Sequence, residues 1–244
     1  MQIAVIGGTG LIGSQVVRIL NANGHNAVSH SPSTGLDLIS GDGLAEALSG
    51  ADVVVNLSNS PTFDEASPAF FQTSMENMLA AAKDAGVGHA VILSIVGVDE
   101  VPDLVYYRAK VLQEEVLKAG PVPYSIVRST QFFEFMDAVM SWTSDEHTVR
   151  LPATPVQPIA SAEIAAAVAE AASGVPLQGT RNVAGPEVFT LDELGRITLA
   201  AKGDQRTVVV DDEAGMFAAV PGDVLIAKGD AVIAKTTYRE WLAR

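Results

Sequence analysis

The apolar positions of this chain follow two alternating spacings, which together predict strands separated by helices. Short, nearly continuous apolar runs are typical of strands buried in a parallel sheet, whereas apolar residues three and four apart indicate one buried helix face. Strands are predicted at residues 2–6, 26–29, 35–39, 52–57, 89–94 and 124–128. Helices are predicted between them, at residues 14–20, 42–48, 67–85 and 106–118.

This order of elements predicts an α/β fold with a doubly wound, parallel, Rossmann-type sheet and right-handed crossovers. We expect residues 1–150 to form the dinucleotide-binding Rossmann core. A proline-punctuated connection begins at residue 151, and residues 151–244 are expected to supply the remaining core elements and a small mixed C-terminal lobe for a substrate or partner. Both parts are expected to form one compact unit.

Helix caps and later elements can also be read from the sequence. Asp42 is predicted to cap the second helix, and Thr190 with Glu193 has the pattern of a capping box. Beyond residue 150, helices are predicted at 161–172 and 190–201, with a strand at 180–183.

A glycine-rich turn lies between the first strand and the first helix. It reads Gly7-Gly8-Thr9-Gly10-Leu11-Ile12-Gly13. Glycines allow a tight turn and close approach to a pyrophosphate, and a helix N-terminus offers N–H groups and partial positive charge. Strand, turn and helix in this order predict a dinucleotide site. The predicted contacts are Gly7, Thr9, Gly10, Leu11, Ile12 and Gly13.

Ligands of a parallel sheet bind at the carboxyl ends of its strands, so residues just past other strands complete the predicted cofactor site. Sites that prefer NAD place an acid at the end of the second strand, but residues 29–34 contain none. Their hydroxyls and imidazole favour the 2′-phosphate of NADP, with NAD as the alternative. The further predicted contacts are Ser29, His30, Ser31, Asp37, Leu57, Ser58 and Gln131.

The fourth predicted helix begins with a tyrosine and a lysine four residues apart, Tyr106 and Lys110. This spacing places both side chains on one helical face. An ammonium group near a phenol favours the phenolate and lowers the tyrosine pKa. The pair therefore predicts a proton donor and acceptor usable near neutral pH.

Composition narrows the possible partners. Hydrophobic residues are 48% of the chain and the formal net charge is −14, so a full core is expected and nucleic acid is not an expected partner. The chain has no cysteine, and its four histidines lack metal-ligand spacing, so no metal site is predicted. No apolar run approaches the length of a membrane span, and we expect a cytoplasmic protein without membrane contact.

The glycine turn and the Tyr106–Lys110 pair together resemble the short-chain dehydrogenase/reductase superfamily, specifically its atypical NmrA-like branch of NAD(P)-binding proteins. Similar segments include residues 124–135, 158–165 and 182–187. The resemblance implies that Ser94, Tyr106 and Lys110 stand where the superfamily has its catalytic serine, tyrosine and lysine. It further implies that Lys110 holds the nicotinamide ribose.

Three functions follow from these features. The leading hypothesis is an NAD(P)H-dependent oxidoreductase acting on a carbonyl, quinone or other small electrophile, with Tyr106 as proton donor and Ser94 orienting the substrate oxygen. Some members of the NmrA-like branch are redox sensors that bind a transcription factor, so the alternative is a non-catalytic NAD(P)-binding sensor with a protein partner. An isomerase or epimerase of the extended superfamily ranks last, because the C-terminal residues offer few arginines for a sugar diphosphate.

Overall fold

A computed structural model describes residues 1–244 and shows a seven-stranded parallel sheet with helices on both faces. The strands are β1 (Gln2–Ile6), β2 (Asn26–His30), β3 (Val53–Asn56), β4 (His89–Ile95), β5 (Tyr124–Ser129), β6 (Thr148–Leu151), β7 (Pro155–Val156), β8 (Gly179–Ala184), β9 (Phe189–Thr190), β10 (Thr207–Val210) and β11 (Val232–Ile233). The helices are α1 (Leu11–Ala22), α2 (Leu44–Leu48), α3 (Ser67–Asp84), α4 (Val105–Ala119), α5 (Met136–Trp142), α6 (Ser161–Ser173), α7 (Leu191–Lys202) and α8 (Tyr238–Leu242). The predicted fold class is confirmed.

The main sheet has the order β11-β8-β5-β4-β3-β1-β2. Strand β1 is paired in parallel with β2 on one side and with β3 on the other. In this register Ile6, the last residue of β1, lies opposite both His30 and Asn56. The segments that follow these three strands therefore leave the same edge of the sheet side by side, and the candidate site is built there.

The chain divides into two compact units. The first comprises residues 1–94, 105–128 and 164–181, and the second comprises 95–104, 129–163 and 182–244. In the first unit α3 packs against α4 over a core of buried aliphatic side chains. The second unit contains a parallel pair of β6 and β10 and an antiparallel pair of β7 and β9. The predicted boundary at residue 150 stays a prediction.

The strand predicted at residues 35–39 is wrong. Leu36 and Leu38 are buried in the core, so the apolar pattern identified core residues correctly. The backbone is nevertheless folded into a turn, because the Asp37 carboxylate accepts a hydrogen bond from the N–H of Ile39 at 2.7 Å. A side chain that bonds the backbone two residues on competes with strand pairing.

Two predicted caps are also corrected. The residue that caps α2 is Gly43, in the left-handed conformation with φ of 77°, and not Asp42. Thr190 does precede α7, but its side chain makes no capping hydrogen bond, so the box with Glu193 is not formed. Thr190 is instead held in β9, opposite Pro155. No helix of the chain has both the length and the apolar character needed to cross a membrane.

Candidate active site

Three of the four glycines of the turn, Gly7, Gly10 and Gly13, have different steric roles. Gly7 has φ of +76°, and a Cβ there would lie 2.8 Å from the backbone of Leu57. A Cβ on Gly13 would lie 2.1 Å from the carbonyl oxygen of Gly7. Gly10 is different, because the atom nearest to its added Cβ would be the Gly7 oxygen at 3.3 Å, and its φ is −76°. The fold thus requires Gly7 and Gly13, whereas Gly10 leaves one side of the turn open.

The N-terminus of α1 has the features of an anion site. Gly10 is its N-cap and provides no side-chain hydrogen bond, and the first turn contains no acidic residue. The first N–H groups of a helix have no partner within the helix, and the helix dipole favours negative charge there. Thr9 and Leu11 are exposed beside this end, while Ile12 is buried. The turn therefore fits the pyrophosphate of a dinucleotide.

The segment after β3 is fixed by a buried asparagine that was not among the predicted contacts. Asn56 is 1% exposed, and its Oδ1 accepts hydrogen bonds from the Ser58 N–H at 2.9 Å and the Ser58 hydroxyl at 2.6 Å. Its Nδ2 donates to the sulfur of Met75. The N–H of Leu57 donates to the carbonyl of Ile6. These bonds hold Leu57 and Ser58 beside the glycine turn, and their contact with a cofactor stays a prediction.

The end of β2 also contacts the glycine turn. The Gly7 N–H donates to the carbonyl of His30 at 2.8 Å. The Ser29 hydroxyl is buried without a hydrogen-bond partner, and a Cβ on Gly8 would lie 2.5 Å from it. Burial lowers the pKa of His30. Ser29 and His30 thus lie next to the turn, and their contact with a cofactor stays a prediction.

Two other predicted contacts of this region have local structural roles. The Ser31 hydroxyl lies 2.8 Å from that of Ser33, and the Ser31 N–H donates to the Thr34 hydroxyl. Asp37 is exposed, and its carboxylate is occupied by the turn described above. A cofactor role for Ser31 and Asp37 remains a prediction.

Tyr106 lies in the first turn of α4 among aromatic side chains. Its hydroxyl donates a hydrogen bond to Oδ1 of Asn59 at 2.5 Å. Its ring centroid lies 4.8 Å from that of Phe63 and 6.0 Å from that of Phe71. Burial raises the pKa of Tyr106 to about 12, and the Asn59 hydrogen bond opposes this only in part. The lowered tyrosine pKa expected from the Tyr106–Lys110 pair is not found, because burial raises this pKa by more than the Asn59 hydrogen bond lowers it.

Lys110 is buried, with 5% of its surface exposed. Its ammonium donates to the carbonyl oxygen of Leu93 at 2.7 Å and to Oε1 of Gln113, and it lies 4.9 Å from the centroid of the Phe71 ring. Burial lowers the pKa of Lys110 to about 7, although the charge of Glu114 acts in the opposite direction. Its charge is therefore sensitive to pH near neutrality.

Ser94 lies in a buried polar cluster around Glu114, apart from the hydrogen bonds of Tyr106 and Lys110. Glu114, buried on α4, pairs with Arg128 at 2.8 Å and with Lys118 at 3.1 Å. Burial raises the pKa of Glu114, but hydrogen bonding by Arg128, Ser94 and Lys118 holds it below its ordinary value. The Ser94 hydroxyl lies beside this carboxylate, though without the geometry of a full hydrogen bond. The structure thus shows Ser94 beside Glu114, and its role beside Tyr106 stays a prediction.

Gln131 is the one predicted site residue that belongs to the second unit. It follows β5, and its backbone carbonyl accepts a hydrogen bond from the N–H of Ile159 at 2.8 Å. Its side-chain oxygen is buried without a hydrogen-bond partner. A role for Gln131 in cofactor binding stays a prediction.

Two relatives are similar to this chain at low identity. A (4-alkanoyl-5-oxo-2,5-dihydrofuran-3-yl)methyl phosphate reductase of Streptomyces griseus is 28% identical over 212 residues, which cover 79% of this chain and 71% of the relative. A photosystem II assembly factor Ycf39 of Cyanophora paradoxa is 26% identical over 174 residues, covering 61% of this chain. This chain spans about half of that second relative, 54% of its length.

Solved structures and a family model complete the comparison. A short-chain dehydrogenase/reductase superfamily protein of Agrobacterium tumefaciens with bound NAD shares the fold with a TM-score of 0.72, at 17% identity, over 100% of this chain and 95% of that one. Other structures of this fold are nucleotide-sugar epimerases. The model of the NAD(P)H-binding family matches residues 7–173, from the glycine turn through α6 and well over half of the chain. This chain therefore belongs to the NAD(P)H-binding family.

Proposed function

We propose that this protein is an NAD(P)H-dependent reductase of a small carbonyl, quinone or similar electrophile, with Tyr106 as the proton donor. One observation carries the proposal. In the segment after β3, the backbone of Leu57 lies against Gly7, and two residues later Asn59 accepts the hydrogen bond of the Tyr106 hydroxyl. Three consecutive residues span at most about 10 Å. A dinucleotide with its pyrophosphate on the glycine turn thus has its other half within reach of Tyr106.

The protein's own groups suit the proton-transfer half of a reduction. When bound, the reduced cofactor supplies a hydride to the substrate carbon. Tyr106 donates its proton to the substrate oxygen, so its O–H bond breaks as the O–H bond of the product alcohol forms, and solvent returns a proton to the phenolate. Because its pKa is about 12, Tyr106 carries this proton at neutral pH. Lys110 would hold the cofactor ribose, as the family resemblance implies, and it does not lower the pKa of Tyr106 in this structure.

The preference for NADP belongs to the same proposal. Residues 29–34 carry hydroxyl groups and one imidazole but no carboxylate that would repel a 2′-phosphate. The N–H and hydroxyl groups of Ser31, Ser33 and Thr34 lie close together in this loop. A loop of hydroxyl-bearing residues without an acid supports binding of a phosphate over a ribose hydroxyl.

A non-catalytic sensor is the second candidate, and one observation favours it. Tyr106 and Lys110 both have internal hydrogen-bond partners, namely Asn59, the Leu93 carbonyl and Gln113. The relative from Cyanophora paradoxa is named as an assembly factor rather than an enzyme. In this alternative the reduced and oxidised cofactor bind with different affinities and shift the conformation seen by a protein partner.

One experiment separates the two candidates. Purified protein is mixed with NADPH and a panel of aldehydes, ketones and quinones, and loss of NADPH absorbance is followed, while calorimetry gives the affinities for NADPH and NADP. The reductase predicts turnover of at least one compound. Saturable cofactor binding without turnover of any compound, combined with at least about a tenfold difference between the two affinities, would instead establish the sensor.

A further inference from the structure

The hydroxyl of Tyr106 has a single proton, and in this structure Oδ1 of Asn59 accepts it at 2.5 Å. A carboxamide oxygen accepts hydrogen bonds and cannot donate them, so the tyrosine is the donor of this pair. A substrate oxygen that takes the same proton must replace Oδ1 of Asn59. The substrate oxygen and the Asn59 carboxamide are therefore neighbours at the moment of proton transfer.

Asn59 can change from acceptor to donor without moving its backbone. The terminal torsion of an asparagine is broad and roughly two-fold, and half a turn exchanges Oδ1 for the NH₂ group. The Asn59 side chain is exposed, and its one hydrogen bond is the bond to Tyr106. Rotation therefore breaks a single contact and presents two N–H donors to the incoming oxygen.

The aromatic side chains packed on the tyrosine cannot serve this purpose. Phe63 and Phe71, whose rings pack on Tyr106, have no hydrogen-bond donor. Ser94 lies beside the carboxylate of Glu114, which is eight residues after Tyr106 on α4. The substrate-orienting role that the family resemblance implies for Ser94 is thus available to Asn59.

We propose that Asn59 is a catalytic residue that donates a hydrogen bond from Nδ2 to the carbonyl oxygen of the substrate, beside the Tyr106 hydroxyl. As the hydride adds to the carbonyl carbon, the π electrons move to the oxygen, which takes its proton from Tyr106. Asn59 gains and loses no proton and stabilises the charge that develops on that oxygen. This inference rests on the proposed reductase function.

The test compares Asn59→Leu, which keeps the approximate size but removes both polar groups, with Asn59→Gln, which keeps the amide. Thr62→Val is the matched control, because Thr62 is an exposed residue of the same loop whose hydroxyl bonds Asp64 rather than Tyr106. The probe is para-nitrobenzaldehyde, or the best compound of the panel above. Two quantities are measured: kcat with NADPH, and calorimetric affinity for the aldehyde in the unreactive complex with NADP.

For Asn59→Leu we expect kcat to fall about 100-fold, the usual loss when one oxyanion donor is removed. Aldehyde affinity in the unreactive complex should fall about tenfold, consistent with one lost hydrogen bond, while NADPH affinity stays unchanged. Asn59→Gln should recover part of kcat, and Thr62→Val should equal the wild type.

The inference is overturned if Asn59→Leu keeps kcat within about threefold of wild type, or if Ser94→Ala lowers kcat more than Asn59→Leu does. Tyr106→Phe, assayed in parallel, distinguishes this failure from failure of the proposed function. If Tyr106→Phe loses turnover while Asn59→Leu keeps it, the proposed role of Asn59 is wrong but the reductase function stands. Full turnover in both variants removes the reductase mechanism itself.

Discussion

The glycine turn and the Tyr106–Lys110 face of α4 are both candidate functional regions, but local backbone sterics determine the first and contacts with distant residues determine the second. The turn is specified locally, since Gly7 and Gly13 meet backbone atoms that leave no room for a Cβ. The helix face is specified by distant partners, because Tyr106 and Lys110 bond groups that lie 47 and 17 residues away in the chain. Local backbone sterics can therefore be predicted from a sequence motif, whereas the protonation of a side chain depends on how distant residues pack around it.

The largest expected effect tests the steric role of the glycines in the turn. Gly13→Ala places a Cβ 2.1 Å from the Gly7 oxygen, so we expect the free energy of unfolding to fall by about 3 kcal/mol or more. Gly10→Asp should leave stability nearly unchanged, because aspartate is a favourable N-cap. It should weaken NADPH binding by at least about 100-fold, or about 2.7 kcal/mol, since its charge lies where the pyrophosphate belongs.

Urea unfolding and NADPH calorimetry on both variants check this prediction. A stable Gly13→Ala protein would contradict the steric role assigned to Gly13. Tight NADPH binding by Gly10→Asp would contradict the location of the pyrophosphate.

The second largest expected effect is the pH dependence of stability, which tests whether packing around Lys110 lowers its pKa. The pKa of Lys110 is about 7 in the folded protein and close to 10.5 when unfolded. Between these values the unfolded chain binds the extra proton, so stability rises as pH increases. The rise is at most about 1.4 kcal/mol per pH unit. Below pH 7 both states are protonated and this contribution is constant.

Urea denaturation of wild type and Lys110→Met from pH 6 to pH 10 measures this linkage. The wild type should gain stability relative to Lys110→Met above pH 7, and most of the gain should come before pH 10. Parallel pH profiles for the two proteins would show that burial does not shift the lysine.

The smallest expected effect concerns cofactor choice. NADPH should bind more tightly than NADH by about an order of magnitude, or 1.4 kcal/mol. Ser31→Asp should erase or reverse this preference, because its carboxylate repels a 2′-phosphate and accepts from a ribose hydroxyl. Calorimetry with both cofactors on both proteins provides the comparison. A wild type that prefers NADH would contradict the interpretation of residues 29–34.

The sequence was sufficient for the fold and for the glycine turn, since strand spacing and backbone sterics are local properties. It failed at residues 35–39, where the Asp37 side chain diverts an apolar segment into a turn. It identified Tyr106 and Lys110 but predicted the wrong direction for the tyrosine pKa. That direction depends on Phe63, Phe71 and other distant groups that bury the phenol.

The hydrogen bonds of Asn56 and Asn59, which lie at and just past the end of a predicted strand where ligands were expected, were not predicted. An asparagine at the end of an apolar strand is a recognisable signal for Asn56, whose bonds to Ser58 are local. The bond from Tyr106 to Asn59 joins residues 47 apart, so no local pattern predicts it. The bond forms because the loop after β3 packs against α4.

The most direct test of the central claim is the turnover of Tyr106→Phe beside that of Tyr107→Phe. Both changes remove one phenolic hydroxyl from neighbouring positions of α4, and Tyr107 is buried without a role in the proposed mechanism. We predict that kcat of Tyr106→Phe falls by roughly 10²–10⁴ with NADPH affinity unchanged, while Tyr107→Phe keeps wild-type kcat. Wild-type turnover by Tyr106→Phe would contradict the assignment of Tyr106 as the proton donor.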